Sequence, residues 1–141
     1  MIVVDVNILI YAYNRDSVHH QKAANWWSFV VNSGTSPGVP WPVFQAFLRL
    51  LSARGAVKEP YTLEELFRIA QEWWDHGVLL LSPSAASFSI FRSLCEKYSA
   101  VGSASTDTFI ATFALEHRAR LATNDTDFLR YAELKVFNPL I

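Results

Sequence analysis

Ile2-Val3-Val4-Asp5-Val6-Asn7 is the stretch on which the reading of this chain turns. Three β-branched residues in a row predict a strand that is apolar on both faces. Such a strand belongs at the centre of a parallel sheet covered by helices. A carboxylate follows at once. An ionised Asp beside a buried strand is costly to desolvate, so Asp5 reads as a functional residue rather than a simple strand terminator. Asn7 comes next, and Ile8 to Tyr13 continues as an apolar turn or short helix.

Outward from this stretch, helices and short apolar strands alternate. Ala23, Trp27, Val30 and Val31 share one face of a helix predicted from about His19 to Val31, stopped at Gly34. A short strand around Gly38 to Pro40 precedes a helix with the stripe Phe44, Phe47, Leu48 and Leu51. Thr62 with Glu65 forms a capping box, and the helix it opens is expected to bury Leu63, Leu66, Phe67, Ala70, Trp73 and Trp74. Val78 to Leu81 reads as a buried strand. Ser84 to Tyr98 reads as a helix with Phe88, Phe91, Cys95 and Tyr98 inward. Thr106 is expected to cap a helix from Asp107 to His117, with Leu121 to Thr123 and Lys135 to Phe137 as later strands. The alternation predicts a three-layer α/β/α fold with a central, mostly parallel sheet of four to five strands, in a single domain over 1–141.

Composition narrows the function. The 141 residues are 51% apolar and 14% aromatic, which excludes a disordered chain. Twelve Lys and Arg against thirteen Asp and Glu exclude a polycation that coats nucleic acid by bulk charge. One cysteine, Cys95, excludes a disulfide framework and a Cys-rich zinc site. No signal peptide and no apolar stretch of membrane-spanning length is visible, so a cytoplasmic protein without a membrane partner is expected. The chain has no Gly-rich phosphate loop, and the adjacent pair His19-His20 reads as solvated surface.

In a parallel α/β sheet, ligands bind beyond the carboxyl ends of the strands. Asp5 follows the first strand, Asp125 follows the strand at Leu121 to Thr123, and Asp107 opens a helix. Each has an ordinary alternative. Asp107 could serve the helix dipole, and Asp125 could cap the turn Asn124 to Asp127. Together, three converging carboxylates repel one another unless a cation compensates. Oxygen-only ligands favour Mg²⁺ or Mn²⁺, which can activate a water and hold a phosphate oxygen.

These motifs resemble those of the PIN-domain ribonucleases. Val4-Asp5-Val6-Asn7-Ile8-Leu9 is similar to their opening motif, and Thr106-Asp107 with Ile110, Ala111 and Ala114 to their central acidic helix. Thr123-Asn124-Asp125-Thr126-Asp127-Phe128 is similar to their Thr-x-Asp-x-Asp-Phe segment. Trp41-Pro42-Val43-Phe44 with Phe47-Leu48-Arg49 resembles the second helix of bacterial VapC toxins. The resemblance implies a Mg²⁺- or Mn²⁺-dependent endoribonuclease, the toxin of a type II toxin–antitoxin pair, acting on RNA as a homodimer and restrained by a cognate antitoxin protein. It implies Asp5, Asp107 and Asp125 as metal-holding catalytic residues and Asp127 as an accessory ligand. Asn7 would orient Asp5, and Thr106 or Thr123 would hydrogen-bond to the carboxylates.

One position departs from the family pattern. The Glu expected on the second helix is Ala46, with Gln45 beside it, and the nearest acid is Glu59, beyond the helix. This opens an alternative: a degenerate PIN domain that binds RNA or protein without cleavage. For the RNA backbone, Arg15 and Lys22, which flank the loop after the Asp5 motif, and Arg49, on the second helix, are the candidate cations. A phosphotransferase using Asp5 is the least consistent reading. Asn7 stands where a second Asp would be needed, and no Lys follows the strand at Leu121 to Thr123.

Overall fold

The computed structural model describes residues Met1 to Ile141. Five strands form one sheet: β1 (Ile2–Val4), β2 (Gly38–Pro40), β3 (Leu79–Leu81), β4 (Arg120–Ala122) and β5 (Lys135–Phe137). Their order is β3-β2-β1-β4-β5, and every pairing is parallel. The helices between them are α1 (Val6–Tyr13), α2 (His20–Asn32), α3 (Trp41–Leu51), α4 (Leu63–Asp75), α5 (Ala85–Tyr98) and α6 (Ala104–Glu116). A 3₁₀ turn covers Thr126–Arg130.

Strand order fixes the layers. From β1 the chain steps to β2 and β3 in one direction, then returns across β1 to reach β4. Right-handed crossovers therefore put α1 to α4 on one face and α5 and α6 on the other. Side-chain contacts agree. Tyr13 of α1, Trp27 of α2, Phe47 of α3 and Trp73 of α4 form one aromatic cluster, while Phe91 of α5 packs edge-on against Phe109 of α6. Val3, Val4, Val39 and Leu121 are fully buried between the layers.

Four expectations are corrected. First, β3 lies at the sheet edge, not inside it, and Leu79 is exposed. Second, Phe88 is exposed, and α5 instead buries Ser87 and Leu94. Ser84 and Ser87 both bond to Glu116 at the end of α6, which turns the Ser87–Leu94 stripe inward and leaves Phe88 about 100° away. Third, α4 buries Leu66, Ala70 and Trp73, while Leu63 and Phe67 reach solvent on its outer flank. Fourth, α6 begins at Ala104, so Thr106 lies inside the first turn and caps nothing. The Thr62 capping box is present in both directions, as expected.

Candidate active site

The reversal of strand order falls between β1 and β4, where the crossovers leave from opposite faces and a crevice opens at the strand ends. Asp5 is the first residue past β1, and its backbone N–H still bonds to the Ala122 carbonyl of β4. It is also the N-cap of α1: Oδ1 accepts from the Val6 N–H at 2.8 Å. Oδ2 accepts from the Thr123 hydroxyl at 2.7 Å. The same hydroxyl accepts from the Asp125 N–H at 3.0 Å and from the Asn7 side-chain amide at 3.4 Å. Thr123 thus uses its one donor and both acceptor directions to tie the two strand ends together. Asn7 orients Asp5 through Thr123, not directly as its place in the motif implies. The Asn7 carbonyl takes the Asn124 N–H, and Asn138, just past β5, braces the Asn124 side chain at 2.7 Å.

Asp125 caps the 3₁₀ turn by accepting from the Asp127 N–H at 2.9 Å. Carboxylate oxygens of Asp107, Asp125 and Asp127 lie within 4.8 Å of one another. Asp127, assigned an accessory place by its motif, therefore belongs to the tightest acidic trio. Asp5 stands outside that trio and beside it. Burial pushes its carboxyl up to about 6, against the Thr123 and Val6 hydrogen bonds, with Asp107 and Asp125 adding repulsion. Burial also raises Asp107, as do Asp125 and Asp127, while Arg130 lowers it.

Three ion pairs form in the protein, all on the outer surface and none at these acids. Four carboxylates converge with no cation within 4 Å. That donor set fits a hard divalent cation such as Mg²⁺ or Mn²⁺. Asp107, Asp125 and Asp127 have the spacing to share one ion, with Asp5 as a buried neighbour.

The other expected residues lie elsewhere. The Thr106 hydroxyl is exposed and bonds to no acid; the threonine that matters on α6 is Thr108, bonded to the buried Tyr131 hydroxyl at 2.7 Å. Arg15 follows α1 at the end opposite Asp5, about 12 Å of helix away, in a polar groove with Lys58 and Glu59. Glu59 is therefore no substitute for the missing helix acid. Lys22 and Arg49 are exposed on α2 and α3. Ala46 is half-buried on α3. Sequence reasoning missed Arg130 and Asn138, whose roles depend on contacts between segments.

The fold and the acidic crevice together describe a PIN domain, and the profile of that family matches residues 2–134. The chain belongs to the PIN-domain family, among the VapC ribonucleases. It is 30% identical over 141 residues to ribonuclease VapC33 of Mycobacterium tuberculosis, covering 99% of both chains. It is 26% identical over 140 residues to ribonuclease VapC37 of the same organism, covering 99% of this chain and 97% of the other. Its backbone is also similar to a chain of VapBC2 from Rickettsia felis, solved bound to a promoter DNA fragment. There the TM-score is 0.69 at 19% identity, over 98% of each chain.

Proposed function

We propose that this protein is a Mg²⁺-dependent endoribonuclease, with Mn²⁺ an effective substitute, and the toxin of a type II toxin–antitoxin pair. The observation that carries this reading is the gathering of Asp107, Asp125 and Asp127 beside buried Asp5, with no ion pair to any of them. When bound, the divalent ion supplies Lewis acidity to a phosphate oxygen and lowers the pKa of a water near the scissile phosphodiester. The protein holds the acids in place. Thr123 fixes Asp5 against β4, Asp125 is fixed through its own cap, and Tyr131 pins α6 at Thr108, next to Asp107. Burial holds the proton on Asp5, and a divalent ion bound beside it would offset that burial and favour the carboxylate form.

The relatives, ribonucleases by name, support the ribonuclease assignment, and the VapBC2 assembly supports a cognate antitoxin as partner. A cytoplasmic homodimer is part of the same reading. No helix is long and apolar enough to cross a membrane. Arg15, Lys22 and Arg49 carry no ion pair and are free to meet RNA phosphates outside the crevice.

The test is cleavage of single-stranded RNA in Mg²⁺. Activity is expected to vanish in EDTA and in Asp5→Asn and Asp107→Asn. Full cleavage in EDTA would overturn the reading. The Ala46 position favours one second reading, a domain that binds without cutting. Under it, wild type binds RNA in EDTA and never cleaves, and Ala46→Glu creates activity. Under the first reading Ala46→Glu raises metal affinity in an enzyme that is already active.

A further inference from the structure

Arg130 ends the 3₁₀ turn and is held at two points. Its Nε donates to the Asp127 carbonyl at 3.1 Å, and its guanidinium lies 5.6 Å from the centre of the Tyr131 ring. Tyr131 is fully buried, with its hydroxyl on Thr108, the neighbour of Asp107. One aromatic side chain therefore anchors both the helix that carries Asp107 and the turn that carries Arg130. The guanidinium is near enough for its charge to act on Asp107. It nevertheless comes within 4 Å of no carboxylate, and its terminal amino groups bond to nothing.

An arginine serving only to neutralise the acids would close onto one of them. Held back by the Asp127 carbonyl and the Tyr131 ring, Arg130 keeps its terminal nitrogens free. These nitrogens form a planar fork that matches the two non-bridging oxygens of a phosphodiester. A crevice of four carboxylates repels RNA, so a substrate phosphate there needs positive charge from the protein as well as from any metal. Arg130 is the cation whose charge acts on Asp107.

Resting on the ribonuclease reading, we propose that Arg130 is a phosphate-binding residue of the site. Its terminal amino groups grip an RNA phosphate lying over the acidic trio.

Three variants test this: Arg130→Ala, Arg130→Gln, which keeps a donor for the Asp127 carbonyl if the alanine form folds poorly, and Arg130→Lys. Binding of a fluorescein-labelled single-stranded RNA is measured by anisotropy in EDTA and in Ca²⁺, on the Asp5→Asn background. KM and kcat for the same RNA are measured in Mg²⁺, and Mn²⁺ affinity by calorimetry. Loss of the fork is expected to weaken RNA binding about ten- to a hundredfold and to raise KM in step. Mn²⁺ affinity should hold or rise, since a competing cation is gone. Lysine should restore only part of the RNA affinity, because an ammonium offers no fork.

Unchanged RNA affinity and KM in the alanine and glutamine forms would overturn the proposal. So would full rescue by lysine, which means charge balance alone, or a parallel loss of Mn²⁺ affinity, which means a purely structural role. If wild type cleaves while the Arg130 variants match it, this inference fails alone. If wild type neither binds nor cleaves RNA, the ribonuclease reading fails and takes the inference with it.

Discussion

Asp5 sits 7% exposed with its carboxyl raised from 3.8 to about 6. A raised acid holds its proton more tightly folded than unfolded. It therefore costs the metal-free protein stability above pH 6, progressively less as pH falls, and nothing below about 3.8. The gap corresponds to about 3 kcal/mol. In EDTA at pH 7.5, Asp5→Asn is expected to be more stable than wild type by up to that amount in urea denaturation, the advantage disappearing near pH 4. The same proton competes with a divalent ion, so Mn²⁺ affinity should fall as pH drops through 6, as calorimetry would show. Thr123→Val removes the hydroxyl that joins Asp5, Asn7 and Asp125. Its expected effect is a ten- to hundredfold loss of metal affinity or activity, of about the size seen when a ligand's supporting hydrogen bond is removed. Asp5 and Asp125 were legible from sequence because Asp5 directly follows β1 and Asp125 lies in the turn after β4. Arg130 was not: its partners, the Asp127 carbonyl and the Tyr131 ring, define its role only once the turn has closed.

Among the elements, short strands make register the critical variable. Gly38 is abreast of Val3 and Leu79, and a Cβ there would lie 2.6 Å from the Leu81 side chain. Gly38→Ala is therefore expected to cost about 1–3 kcal/mol by overpacking and to lower the melting temperature. The parallel sheet was legible because β1, at its centre, is continuously apolar and short strands alternate with helices. The placement of β3 was not. Leu79-Leu80-Leu81 looks as apolar as Ile2-Val3-Val4, and only strand order puts it at an edge. Helical spacing likewise found where α4 and α5 lie but widened their buried faces. In α5 the Glu116 tie to Ser84 and Ser87, absent from any local pattern, sets the rotation.

For the whole molecule, a net charge of −1 conceals an uneven distribution. Setting aside Asp5, Asp107, Asp125 and Asp127 leaves twelve cations against nine acids, so the surface away from the crevice is basic in balance. The gathered acids also predict that a divalent ion will favour the folded state. Mn²⁺ at a hundred times its dissociation constant is expected to stabilise the fold by about 2.7 kcal/mol, read as a rise in melting temperature that Asp107→Asn diminishes. The pairing of β1 with β4 has a temporal side. Residues 2–5 are synthesised well before the strand they need as a neighbour, Arg120–Ala122, and before Thr123 and Asp125, which follow it. Contacts of such long sequence separation form late and slowly. A nascent chain short of residue 120 leaves one side of β1 unpaired, and one short of 127 lacks its acidic trio. Synthesis therefore completes the acidic crevice only once residue 127 has been added.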